Sequence, residues 1–292
     1  MPPPEPHPEG PPPIPPVLRE IVEHKREEIA RAKAATSMSE LEALVAQEEP
    51  PRNFFAAVTH HRHRRDVAVI AEIKRTSPSA GLIRPEYAGE GFAPEAFARA
   101  YHQSGASAIS CLTDEKFFGG HLSFIRRVKD AVPLPVLRKD FLIDPWQLWE
   151  SRAAGADAVL LIAECLHEAD LIDMLILSQQ LQMTALLEVH SMENLLRVRP
   201  HVGFPHPSYC LLGINNRDLS SMKVDVSHTL RLADMVENTA VLVSESGITS
   251  PADLDRLSEA GVRIVLVGEH LMRQPDPGDA LRTLLTPTSR RA

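Results

Sequence analysis

Hydrophobic and polar positions along this chain follow two periods, and the switches between them mark its elements. From 67 to 74 the period is two: Val67, Val69, Ala71 and Ile73 share one face, and Ala68, Ile70, Glu72 and Lys74 share the other. Short apolar runs of the same kind recur at 108–112, 136–139, 158–162, 184–189, 209–215, 240–244 and 264–268. Helical patterns fill the gaps, as at 94–104, 122–131, 145–154 and 167–180. The phrases SGASAIS, AGADAVLL and AGVRIVLVG repeat a helix stop before a strand, with Gly105, Gly155 and Gly261 as the stopping glycines. Eight strand–helix units predict an α/β fold, a single closed (β/α)₈ TIM barrel over 67–288, rather than an open doubly wound sheet. No GxGxxG follows the first strand, which argues against a dinucleotide fold.

The barrel is preceded by two other kinds of chain. Residues 1–16 are mostly proline and read as a disordered tail that builds no core. Residues 17–66 read as a helical extension. In its first helix Leu18, Ile21, Val22, Lys25 and Ile29 share a face, the lysine lending its stem, while Glu27 and Arg31 pair at i,i+4 on the other side. A second helix is expected after Ser39, an N-cap with Glu42 at capping-box spacing, and runs through Val45. The basic cluster from His60 to Arg65 reads as a solvated loop at the strand's N-terminal end, since no carboxylate or cysteine completes a metal-ligand set. The His- and Pro-rich loop 200–208 precedes a strand, so it falls on that same bottom face.

Composition narrows the function classes. With 5% aromatics, packing must rest on aliphatic side chains, as barrel interiors do. A formal net charge of -8 argues against a general nucleic-acid or anionic-membrane partner. No apolar run is long enough to span a bilayer, and the proline-rich start lacks the apolar stretch of a secretory signal. Cys111, Cys165 and Cys210 are widely spaced and odd in number, which suits a reducing, cytoplasmic setting and no disulfide framework.

Candidate chemistry lies at the strand ends, where barrel enzymes keep it. Glu72 and Lys74 close the first strand, either as a salt bridge plugging its end or as a catalytic pair, ahead of the hydroxyl-rich loop containing Ser77. Phe117 and Phe118 precede Gly119 and Gly120, and read equally as a lid over a flat substrate or as loop anchors. Lys139 shares its face with Leu137, and Glu188 with Leu186 and Thr184, so both ionisable groups point where barrel-core residues point. The sixth strand ends in Asn215, Asn216 and Arg217, and the seventh in Glu245, Ser246 and Gly247. Gly268 and Glu269 follow the eighth. Glycines after these last two strands, each opening toward a helix, form the usual barrel phosphate cradle. Glu269 is a discordant charge there, so its carboxylate is expected to face away while its N–H contributes.

The ordered set AEIKRTSPSAGLIR, SCLTDEKFFGG, VLRKDF, ADAVLLI, LLEV, GINNRDL, SESGI and LVGEHLMR resembles the motifs of indole-3-glycerol phosphate synthases. The resemblance covers roughly Val17 to Leu285. It implies closure of the indole ring of 1-(2-carboxyphenylamino)-1-deoxyribulose 5-phosphate with loss of carbon dioxide and water, a step of tryptophan biosynthesis. It implies neither metal nor organic cofactor, and it leaves association with other enzymes of the pathway open. By position, Lys139 resembles the general acid that protonates the ketose oxygen, and Lys74 the second catalytic lysine. Glu188 resembles the group tied to proton transfer in dehydration, and Glu72 the one that orients or relays through the lysines. Which lysine acts in dehydration stays open. Asn215, Arg217 and Ser77 match residues around the anthranilate end, Phe118, Phe141 and Leu160 the aromatic pocket, and Ser246, Gly247, Gly268 and Glu269 the phosphate site. Two other classes compete: a Schiff-base aldolase barrel built on a buried Lys139, and a non-catalytic barrel that binds a phosphorylated ligand.

Overall fold

Alternation along the strands sorts their side chains into two layers. In the computed structural model, which describes residues 14–60, 66–89 and 91–287, eight parallel strands close into a barrel. They are β1 (Ala68–Ile73), β2 (Ala108–Leu112), β3 (Val136–Lys139), β4 (Ala158–Ile162), β5 (Thr184–Val189), β6 (Cys210–Asn215), β7 (Leu242–Glu245) and β8 (Ile264–Val267). Each pairs with its neighbours in sequence, and β1 pairs with both β2 and β8 to complete the circle. Ala68, Ile70, Leu137, Leu160, Leu186, Val243 and Leu266 fill the interior. Val69, Ala71, Ile109, Val159, Leu187 and Val265 face outward onto the helices. The fold therefore takes the form that the alternating pattern predicts, although β7 starts at Leu242 rather than residue 240. Thr239–Val241 instead forms a 3₁₀ turn, because the Asn238 side chain accepts from the Ala240 N–H at 3.1 Å.

Helices α1 (Pro16–Ala35), α2 (Met38–Gln47) and α3 (Phe54–Thr59) precede the barrel. The outer ring is α4 (Pro94–Ser104), α5 (Phe124–Ala131), α6 (Pro145–Ala153), α7 (Glu168–Gln180), α8 (Met192–Val198), α9 (Ser227–Ala233), α10 (Pro251–Glu259), α11 (Glu269–Met272) and α12 (Pro277–Leu284). Gly105 ends α4 at φ 100°, a left-handed conformation in which a side chain would be strained.

The extension differs from expectation in four places. The α2 N-cap is Ser37, not Ser39: its hydroxyl accepts from the Glu40 N–H at 3.3 Å, and Glu40 accepts from the Ser37 N–H at 2.7 Å. Two overlapping S-x-x-E phrases compete here, and the earlier one begins the helix with Leu41 buried on the core side. Arg31 donates to the Glu27 carbonyl at 3.3 Å; no ion pair joins their side chains. A third helix, α3, was not expected; Asn53 caps it, and its Phe54 and Val58 join the interior cluster of the barrel. Finally, Lys25 lends more than its stem. Its ammonium is wholly buried against Asp140 at 2.9 Å and Asp114 at 3.0 Å. It thereby ties α1 to the ends of β2 and β3. The tail through residue 13, the cluster residues 61–65 and residue 288 lie outside the described residues. No helix among those described is long and apolar enough to cross a membrane.

Candidate active site

The period-two rule that fills the barrel also delivers its chemistry. Glu72 lies two residues past Ile70, Lys139 two past Leu137, Glu188 two past Leu186, and Glu245 two past Val243. Each inward apolar position is thus followed, one rung higher, by an inward ionisable group. All four line one cavity of about 430 Å³ at the C-terminal strand ends, within the range of small-molecule sites. Val17, Leu18 and Ile21 of α1 cover it from above.

Two ammonium–carboxylate pairs face this cavity. Lys139 Nζ is 2.9 Å from Glu188 Oε2 and 3.6 Å from Glu245 Oε2, while Lys74 Nζ is 2.6 Å from Glu72 Oε1. Burial by itself would lower the Lys139 pKa, but the charges of Glu188 and Glu72 outweigh it and hold the ammonium above its ordinary range. Burial would raise Glu188, yet Lys139 and His190 hold it down at about 2. Glu245 goes the other way: burial and the neighbouring Glu188 push it well above the carboxylate range, against the pull of Lys139. The site therefore presents an acid, Lys139; a carboxylate, Glu188; and a neutral carboxyl, Glu245.

Two glycines exist to make room for these carboxylates. A Cβ on Gly213 would lie 2.2 Å from Glu245 Oε1, and one on Gly268 would lie 2.3 Å from Glu72 Oε1. Gly268 was read as an opening for a ligand. It lines the cavity, but its lack of a side chain is first of all what seats Glu72.

The remaining predicted residues gather around the same space. Phe118 and Phe141 lie 5.9 Å apart at 40°, with Leu160 also on the wall, forming the apolar end. The two readings of the Phe pair divide between its members. Phe118 faces the cavity, whereas Phe117 packs edge-on against His24 of α1 at 5.8 Å and anchors the loop. Ser77 lies on the loop after β1, in a short hairpin where Thr76 pairs with Leu82. Asn215 donates to Glu188 Oε1 at 3.3 Å. Asn216 does not reach the cavity lining. Buried, it donates to the Ser246 carbonyl at 3.0 Å and accepts from Thr229, fixing the loop after β7. That loop places Ser246 at φ 69° and Gly247 at φ 81°, a left-handed pair held open toward the cavity.

Glu269 has partners that the sequence did not show. Its carboxylate, expected to face away from the cradle, is clamped by Arg217 at 3.1 Å and Arg273 at 2.8 Å, while Arg217 also donates to the Met222 carbonyl. Sequence reasoning also gave Glu245 no role, although its parity with Val243 carried the same signal as Glu188 with Leu186. Among the described residues, no group of three His, Cys, Asp or Glu side chains is arranged to hold a metal ion.

With this geometry in place, comparison with known proteins is direct. The family model described as indole-3-glycerol phosphate synthase matches residues 18–284. Proteins of that name from Rhodospirillum rubrum and Rhodopirellula baltica are 45% and 44% identical over 269 residues, spanning 92% of this chain and 98% of each relative. One from Acidithiobacillus ferrooxidans is 44% identical over 268 residues. Among solved structures, a 3-hexulose-6-phosphate synthase superposes with a TM-score of 0.57 at 17% identity, covering 74% of this chain and 97% of that one. The last likeness speaks for the barrel fold alone.

Proposed function

The chain belongs to the indole-3-glycerol phosphate synthase family, and from that premise we propose that Lys139 is the acid that closes the indole ring. The activity is that of the family: a lyase of tryptophan biosynthesis that acts on a small phosphorylated substrate. Its substrate, 1-(2-carboxyphenylamino)-1-deoxyribulose 5-phosphate, loses carbon dioxide and water as the ring forms. The observation that carries the residue assignment is the Lys139–Glu188 pair, 2.9 Å apart and facing the cavity.

Ring closure joins the carboxylate-bearing aryl carbon to the ketose carbonyl carbon and builds negative charge on the carbonyl oxygen. The Lys139 ammonium stabilises and protonates that oxygen, work worth about 10²- to 10⁴-fold in rate. Loss of carbon dioxide returns the bonding pair to the aryl ring and restores its aromaticity. Dehydration then removes the new hydroxyl and one proton. Glu188 is the base for that proton, and the sequence of steps explains how. While Lys139 is charged, it holds Glu188 at about 2. Once Lys139 has given up its proton, that restraint is gone and Glu188 becomes more basic, at the step that requires a base. Lys74, held by Glu72 at 2.6 Å, supplies the proton for the departing hydroxide.

Phe118, Phe141 and Leu160 receive the aryl ring, with Ser77 and Asn215 beside it. The backbone of Ser246, Gly247, Gly268 and Glu269 receives the phosphate, with the Glu269 carboxylate neutralised by Arg217 and Arg273. The three helices before β1 act as the helical cap of the barrel. A cytoplasmic setting without nucleic-acid or membrane partners accords with the three unpaired cysteines and the net charge of -8.

The assay is direct: purified protein and the carboxyphenylamino-deoxyribulose phosphate, with chelator present, should develop indole fluorescence together with an equal amount of carbon dioxide. No product from folded protein would refute the reading. At the phosphate end, Gly268→Ala should lower kcat/KM at least tenfold, roughly the scale of one displaced catalytic group. Its Cβ would strike Glu72, so kcat falls as well as KM rising, and Gly268→Asp should be worse. Unchanged steady-state constants in Gly268→Ala would separate Glu72 from catalysis.

A further inference from the structure

His190 is a buried titratable group that the assignment above leaves without a task. It lies two residues past Glu188, so strand parity brings it back toward the cavity, which it lines with its side chain 8% exposed. Its Nε2 is 3.3 Å from Glu188 Oε1, and its Nδ1 is 3.2 Å from Glu164 Oε2. Glu164 stands in the 3₁₀ turn Ala163–Cys165 directly after β4, itself buried. Its second oxygen accepts from the His190 backbone N–H at 2.9 Å and from Asn194 at 3.0 Å. The result is a chain of Glu164, His190 and Glu188, with Lys139 on the far oxygen of Glu188 at 2.9 Å.

We infer that His190, oriented by Glu164, is the positioning residue that keeps Glu188 aligned and ionised through the dehydration step. The inference rests on the reading of Glu188 as the base of that step. Its logic follows from the order of proton transfers. Lys139 holds one Glu188 oxygen at the start, but it loses its charge when it protonates the ketose. From then until Lys139 is recharged, His190 is the cation still on Glu188, and it grips the other oxygen. The fixed imidazole shares that oxygen with the neutral Asn215 amide, which donates to it at 3.3 Å but brings no charge; with the amide alone, Glu188 beside the neutral carboxyl of Glu245 would share a proton instead.

The groups facing His190 agree with a charged ring. Glu164 and Glu188 favour the imidazolium, outweighing burial and the opposing Lys139, so its pKa lies above the ordinary histidine value. Asp218, on the loop after β6, also feels its charge. His228 of α9 sits 3.1 Å from the His190 carbonyl; burial and Arg231 lower its pKa, so it is a neutral donor there and adds no competing charge. The Glu164 carboxylate has His190 as its ion-pair partner, which fixes which way the ring must face.

The test is a comparison of His190→Ala, His190→Gln, Glu164→Gln and Glu188→Gln in the indole assay across pH, with circular dichroism melting to confirm folding. His190→Ala should lower kcat about tenfold with KM within about twofold, the signature of a group that matters after binding. Its acidic limb in the kcat profile should move to higher pH, because removal of the cation lets Glu188 take up a proton more readily. His190→Gln keeps the volume and one hydrogen-bond donor but no charge. It should recover most of kcat while the acidic limb stays displaced. Glu164→Gln should move the limb in the same direction. If Glu188→Gln loses activity while folded His190→Ala and His190→Gln keep both kcat and the wild-type limb, the inference falls and the base assignment stands. If Glu188→Gln retains kcat, both fall together.

Discussion

Lys139→Met should lose at least about 10²-fold in kcat while KM shifts only a few-fold, the pattern of an interaction made mainly in the transition state. Methionine fills a similar volume, so the aryl pocket and the phosphate loops keep their shape. The variant should also fold. Removing the ammonium leaves Glu188 with His190 as its remaining cation at 3.3 Å, and Glu245 is already held neutral by burial and by its neighbour, so no unpaired buried charge is left behind. Steady-state kinetics in the indole assay check this, with substrate binding measured by calorimetry. A loss of less than about tenfold in kcat would move the acid elsewhere.

The second large effect is on architecture. Lys25→Met should destabilise the protein by about 3 kcal/mol, the scale of breaking a buried ion pair by removing one partner. The lower end of that scale applies because Asp140 keeps Arg138 at 3.2 Å and the Thr113 hydroxyl at 2.6 Å. With the pin gone, α1 loosens and Leu18 and Ile21 leave the cavity roof, so KM rises more than kcat falls. The pH signature has a definite sign. Burial opposes ionisation of Asp140, yet Arg138 and Lys25 hold it at about 2, below its ordinary value of 3.8. Its contribution, about 2 kcal/mol, is therefore complete above pH ~4 and is lost as pH falls toward 2. In Lys25→Met the Asp140 pKa rises toward its unfolded value, so stability should depend less steeply on pH across that window. Lys25, held above its ordinary value by Asp140 and Asp114 against burial, contributes stability present below about pH 10 and lost above it. Denaturant melts from pH 2 to 12 would show the acid limb and the onset of the alkaline one, and an unchanged acid limb in the variant would contradict the assignment.

Strand parity is why so much of this was legible in the chain. One alternation both packs the barrel and aims Glu72, Lys139 and Glu188, so a reader who finds Leu137 inward finds Lys139 inward too. What stayed hidden depends on partners far along the sequence. Lys25 sits within an apolar helix face, where a stem-only role is the ordinary reading; its charge is explained only by Asp114 and Asp140, which the barrel brings to it. Gly268 looks like a ligand gap until the Glu72 carboxylate is found against it. Glu269 looks discordant until Arg217 and Arg273 are seen on either side. The six-residue helix α3 is too short to show a helical period, and the two overlapping caps before α2 cannot be ranked by spacing alone.

The central claim is that Lys139 acts as a proton donor, and one measurement addresses it most directly. A nucleophilic lysine must be neutral to attack a carbonyl, whereas the neighbouring carboxylates, Glu188 first, keep this one charged. Borohydride added during turnover, followed by intact-protein and peptide mass spectrometry, distinguishes the two. The general-acid account predicts no change in protein mass while indole product accumulates. A substrate-mass adduct reduced onto Lys139 would contradict it.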